Sequence, residues 1–109
     1  MPLTKIDQYE VMYSASAFAP RIWLKNGGIY IGQLVFHPEG QPLPPDGPGA
    51  SNPSLHYHIG QFQHALDLLR NEGLVWLLYS GSGGGFENGL KTGSELTGEG
   101  EPRLMRFPG

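Results

Sequence analysis

A chain of 109 residues with 39% hydrophobic and 11% aromatic residues carries enough apolar material for the core of one domain, while its 17 glycines and 10 prolines foretell long irregular segments. Its formal charge of −3 gives no global positive field toward nucleic acid or anionic lipid, so any such binding must be local. The absence of cysteine excludes disulfides, thiolate metal ligands and thiol nucleophiles, and the longest apolar run, Leu74 to Tyr79, falls far short of the roughly 20 residues of a membrane helix.

The first ten residues include Lys5, Asp7 and Glu10 and lack the hydrophobic region of a signal peptide, so a cytoplasmic protein with no membrane partner is expected. From Tyr9 the sequence alternates, with Tyr9, Val11 and Tyr13 set against Glu10, Met12 and Ser14, which predicts a first strand with distinct faces. A second strand, Arg21 to Lys25, runs into Asn26-Gly27-Gly28, and Ile29 to His37 follows with high β propensity. Asn-Gly tolerates the positive φ of a tight turn, so these two strands are expected to pair antiparallel.

The segment 38–53 holds six of the ten prolines and no apolar period, and reads as a long surface loop, because proline lacks the donor that a sheet interior needs. Leu55, Tyr57 and Ile59 alternate with His56 and His58 and predict a short fourth strand entering a helix over 59–72. Ile59, Phe62, Leu66 and Leu69 form that helix's apolar stripe, flanked by Ala65 and Leu68. Asp67 and Arg70 are placed to pair on its surface, and Gly73 is expected to end it in a left-handed cap.

Leu74 to Tyr79 is apolar on both faces and predicts an internal strand, covered by the helix on one side and by another layer or subunit on the other. A Gly/Ser loop over 80–89 follows, with Asn88-Gly89 turning the chain into a last short strand, Leu90 to Thr92. The segment 93–109 is polar and glycine-punctuated. Residues 1–109 are expected to form a single domain.

Five constellations invite a functional reading. Arg21, Trp23 and Lys25 share one face of a strand as a cation, aromatic, cation row, suited to single-stranded DNA or RNA, with bases stacked on the indole and phosphates on the charges; Tyr9 and Tyr13 are candidate helpers. The same row also suits a subunit interface, where tryptophan and arginine are enriched. His56 and His58, two apart on a strand, present two imidazoles to one side and are the weak metal candidates, with His37, His64 or a glutamate needed to complete a ligand set; solvent-facing histidines are the simpler account. Gly84 and Gly89 have the separation of a phosphate loop, but Leu90 intervenes before Lys91-Thr92. Glu95, Glu99 and Glu101 lie among glycines, with nothing apolar nearby to raise a carboxylate pKa, and Gly81-Ser82-Gly83 lacks the strand-to-helix frame of a nucleophile elbow. No catalytic residue and no cofactor is therefore assigned.

The run Leu55-His56-Tyr57-His58-Ile59 leading through Phe62 to Leu68-Leu69-Arg70-Asn71-Glu72, then Val75-Trp76-Leu77, Lys91-Thr92-Gly93-Ser94-Glu95 and Gly98-Glu99-Gly100-Glu101, resembles a family of small bacterial, notably cyanobacterial, proteins. Their fold in turn resembles that of Whirly-type single-stranded-DNA-binding transcriptional regulators. With the tyrosine-rich first strand and the Ile29 to Phe36 strand, the resemblance covers about two thirds of the chain. It implies an antiparallel sheet packed by a helix, completion by dimerisation, and a sheet face open to single strands; the lysine-rich DNA-binding signature of true Whirly proteins is absent.

The expected fold is thus α+β, an antiparallel sheet of about five or six strands packed by one main helix, in a homodimer that completes the cover of a greasy sheet. The expected function is a noncatalytic binding module for single-stranded nucleic acid. The alternatives are a protein-interaction or structural homodimer module and, more remotely, a histidine-based metal-binding protein.

Overall fold

A computed structural model describes residues 3–48, 52–82 and 85–93. Its class is α+β, with strands β1 (Leu3–Ile6), β2 (Gln8–Met12), β3 (Arg21–Asn26), β4 (Ile29–His37), β6 (Pro53–His58), β7 (Val75–Tyr79) and β8 (Asn88–Thr92), a two-residue ladder β5 (Gly47–Pro48), and the helix α1 (Phe62–Asn71). These form two sheets, not one. The first has the order β2-β3-β4-β6-β5 and the second β1-β7-β8.

The hairpin between β3 and β4 is built as expected. Gly27 and Gly28, at φ +62° and +81°, make the two-residue turn, and the Asp7 carboxylate accepts from the Gly27 N–H at 2.9 and 3.1 Å. Asp7 is also where the chain leaves one sheet for the other: its own N–H donates to the Lys25 carbonyl at 3.0 Å, and the residues before it pair with β7 while those after it pair with β3.

The β4–β6 pair is parallel, which corrects the expectation of a wholly antiparallel sheet. The physical reason is the proline-rich segment: a connection of that length can return the chain in the same direction, as a short hairpin turn cannot. Gly47 and Pro48 pair with β6 at the sheet edge, where a missing N–H is tolerated.

The predicted helix is divided. Ile59–Gln61 form a 3-10 turn and the α-helix begins at Phe62. Its apolar stripe lies where the spacing put it, with Ala65 buried and Ile59, Phe62, Leu66 and Leu69 packed against the core. Two details differ. The helix ends because Glu72 turns extended, at φ −94° and ψ 138°, and Gly73 has no positive φ. Asp67 accepts from Gln63 at 2.8 Å, one turn earlier on the helix, in place of a pair with Arg70.

Ile22, Leu24, Leu34, Phe36 and Leu55 from the larger sheet meet Ile6, Val75 and Leu77 from the smaller one in a shared core. Much of the cover that the sequence seemed to require from a second subunit therefore comes from β1-β7-β8. Val75 and Leu77 face that core, and β7 is internal to its sheet as expected. Asn88 and Gly89 do not form a hairpin turn; they pair with Tyr79 and Leu78 as the first residues of β8. The Asn88 side chain holds the connection closed, accepting from the Ser80 N–H at 2.7 Å and donating to the Gly81 carbonyl at 2.9 Å. No helix among the described residues is long and apolar enough to cross a membrane.

Candidate nucleic-acid interface

The side of the larger sheet opposite the core follows from strand alternation. Ile22 and Leu24 are fully buried, so Arg21, Trp23 and Lys25 project to the other face, as the sequence row required. The register then sets Glu10, Trp23, Gln33 and Ser54 in one cross-strand row and Met12, Arg21, Val35 and His56 in the next.

The first row is bonded across three strands. The Trp23 indole N–H donates to Gln33 Oε1 at 3.2 Å, and Gln33 Nε2 donates to Ser54 Oγ at 3.0 Å. This chain fixes the indole by its edge and leaves its faces free of hydrogen-bonding duty. Arg21 lays its guanidinium 5.6 Å from the ring centroid, within cation–π range, and its buried Nε has no hydrogen-bond partner among the described residues. Lys25 is engaged elsewhere, in a 2.8 Å ion pair with Glu10.

Tyr9 and Tyr13 do not join Trp23. Tyr9 is opposite Leu24 and packs against the core, while Tyr13 lies past the end of β2 with its ring 5.7 Å from that of Phe62. The predicted row is real, but its two tyrosine helpers belong to the other side of the sheet.

The two histidines of the metal reading share a face without converging. His56 Nδ1 is 2.8 Å from His37 Nε2, and His58 Nε2 is 2.7 Å from the Gln41 carbonyl oxygen. No group of three or more His, Asp or Glu side chains placed to hold a metal occurs among the described residues. Burial holds the His56 imidazole below its ordinary pKa, the charge of His37 adds to that, and Asp46 pulls the other way. Burial also raises the Tyr57 phenol, with Asp46 adding to the effect.

Gly89, Lys91 and Thr92 lie within β8, so they do not open a helix as a phosphate loop would. Gly83, Gly84, Glu95, Glu99 and Glu101 lie outside the described residues. Two grooves flank the core. One, of about 480 Å³, runs between the helix and β8 and is lined by Tyr57, His64, Leu68 and Leu90; the other, of about 490 Å³, includes Tyr13, Phe18, Phe36 and Ile59.

Sequence reasoning did not connect Trp76 with Lys5 and Lys91, which the smaller sheet brings into one row: Trp76 is opposite Lys5 on one side and Lys91 on the other. It also passed over Gln33 and Ser54, the residues that hold Trp23. Trp76 sat inside a run that looked uniformly apolar, and no local spacing connects it to either lysine. No family model, curated protein or solved structure matches this chain.

Proposed function

We propose that the protein is a noncatalytic binding module and that the outer face of its larger sheet receives a segment of single-stranded nucleic acid. One observation carries this reading: Trp23 is held by its edge to Gln33, which Ser54 holds in turn, with Arg21 stacked beside it and Lys25 two residues beyond on the same face. A base stacks on the indole or on the guanidinium plane above it, and the phosphates on either side meet Arg21 and Lys25. The Whirly-like resemblance of the sequence supports the same reading, since that fold presents a sheet to single strands.

Titration of a labelled oligothymidylate tests it by fluorescence anisotropy. Saturable binding is expected at low salt and weaker binding at higher salt, with Trp23→Leu costing about 1–3 kcal/mol, the worth of one stacked base. Binding that is absent, or that is indifferent to both salt and Trp23, overturns the proposal.

A second reading, a homodimeric interaction module, is favoured by a different feature. Val11, Met12, Tyr13 and Phe18 are 41–69% exposed at and beyond the outer edge strand β2, an apolar concentration typical of a contact surface. Sedimentation at micromolar concentration separates the two, for a strict monomer leaves only the first.

A further inference from the structure

We propose that the outer face of the smaller sheet is a second stacking platform for single-stranded nucleic acid, centred on Trp76 and flanked by Lys5 and Lys91. The proposal rests on the reading of the protein as a nucleic-acid-binding module, and extends it to a surface on a different sheet from Trp23.

Val75 and Leu77 are buried, so Trp76 between them projects to the opposite face of β7. There it lies directly between Lys5 of β1 and Lys91 of β8. With neighbouring strands about 4.8 Å apart, the two lysine backbones stand about 10 Å from one another across the indole. Both lysines are exposed and Trp76 is half-buried. Lys91 Nζ lies 5.9 Å from the ring centroid and donates to the Thr92 carbonyl at 3.1 Å.

Among the described residues neither lysine of this row forms an ion pair. The ion pair found there is Lys25–Glu10, on the other sheet. Two ammonium groups without an ion-pair partner among the described residues, one of them hydrogen-bonded to the Thr92 carbonyl, mark a local anion-attracting spot on a chain of net charge −3. The indole between them adds a demand that charge alone does not make, because it rewards a flat ring. Nucleic acid supplies both features in the right order, phosphate, base, phosphate, whereas an acidic peptide would use the lysines and leave the indole idle.

The two tryptophans of the chain allow each platform to be read separately. In Trp23→Phe the intrinsic fluorescence comes from Trp76, and in Trp76→Phe it comes from Trp23. Each full-length variant is titrated with an oligothymidylate of about 12 nucleotides, a length suited to one such site, at low and at raised salt. The expected result is saturable, salt-sensitive quenching of Trp76, with its affinity lowered at least about fivefold by Lys5→Ala with Lys91→Ala, the loss that one forfeited stacking or phosphate contact brings. Lys5→Gln and Lys91→Gln, made singly at these exposed sites, keep the test available if the double variant does not fold. Unchanged Trp76 emission alongside quenching of Trp23 overturns the second platform and leaves the first. Unchanged emission from both overturns the two together. Equal quenching of Trp76 by polyglutamate would make the surface a charge-reading site for acidic peptides, and also overturns the proposal.

Discussion

His37 Nε2 lies 2.8 Å from His56 Nδ1, although the β4–β6 register sets His37 opposite His58 and Val35 opposite His56. The two rings reach diagonally, 5.0 Å between centroids, and the short nitrogen–nitrogen contact requires one imidazole to donate and the other to accept. Protonating both removes the acceptor.

Burial of His56, with the charge of His37 adding to it and Asp46 opposing, gives stability a defined pH dependence. His56 is held below its ordinary pKa in the folded protein, so it takes up a proton less readily there than in the unfolded chain, where the value is about 6.5. As pH falls through that value the unfolded state binds more protons, and stability declines until the folded-state value is also passed. Above about pH 7 the contribution is flat, since both states are neutral. Urea midpoints measured between about pH 7.5 and 5.5, where ordinary carboxylates remain ionised, are expected to fall, and His56→Gln to remove most of the slope. Midpoints that rise over the same interval would contradict the assignment.

Gly32 is a point of close approach between the two sheets. A Cβ at this position would lie 2.9 Å from Leu77 Cδ2 and 3.0 Å from the Pro53 carbonyl oxygen, and the second of these is backbone that cannot rotate away. Gly32→Ala is expected to cost about 1–3 kcal/mol by overpacking. Leu77→Ala alone should cost about 2–5 kcal/mol through its cavity, and the double variant less than the sum, because removing Leu77 relieves one of the two clashes. Thermal or urea unfolding of the four proteins measures the coupling; strict additivity would place the sheets further apart than described.

What the sequence made legible here was local. The Gly27-Gly28 turn and the 3, 4, 3 stripe on the helix depend on neighbours within a few residues, and both stand as expected. The Arg21, Trp23, Lys25 row is likewise one strand's own alternation. Whether Tyr9 joins it is another matter: that depends on the register of β2 against β3, and a slip of one residue would carry Tyr9 to the other face. Register is set by Asp7 at the sheet switch and by the core, which no short window contains. The same holds for β1, whose four residues find their partner only after the chain has passed through the rest of the fold, and for Lys5 beside Trp76. The parallel β4–β6 pair was hidden because a long proline-rich connection permits either direction.

Asp46 is the pin of that connection. Its Oδ1 accepts from the His56 N–H at 2.8 Å, and its Oδ2 accepts from Asn88 Nδ2 at 3.3 Å. The two-residue ladder of β5 reaches only Pro53 and Ser54, so a side chain takes over where the edge strand stops. Asp46→Ala leaves a part-buried N–H unpaired and is expected to cost about 1–3 kcal/mol, with Asp46→Asn costing less because an amide oxygen can still accept. Amide hydrogen exchange at His56 reads the contact directly. Protection that persists in Asp46→Ala would show another group serving that donor.

Glu10 restrains the Trp23 face as a binding surface, because its carboxylate holds Lys25 Nζ at 2.8 Å. The pair is solvent-accessible, with Glu10's side chain 54% exposed, so its contribution to folding falls within about 0–1 kcal/mol. Its effect on an incoming phosphate is larger in kind: the lysine is already occupied, and a negative charge stands beside the site. Glu10→Gln is therefore expected to leave the unfolding midpoint nearly unchanged while tightening oligothymidylate binding. The salt dependence separates the causes. If Lys25 is released to contact one further phosphate, the slope of log affinity against log salt steepens by about 0.7, the increment for one phosphate of a single strand. Tighter binding with an unaltered slope would mean that repulsion alone has been lifted and that Lys25 stays off the strand. No change in affinity at low salt would place the ligand away from this face altogether.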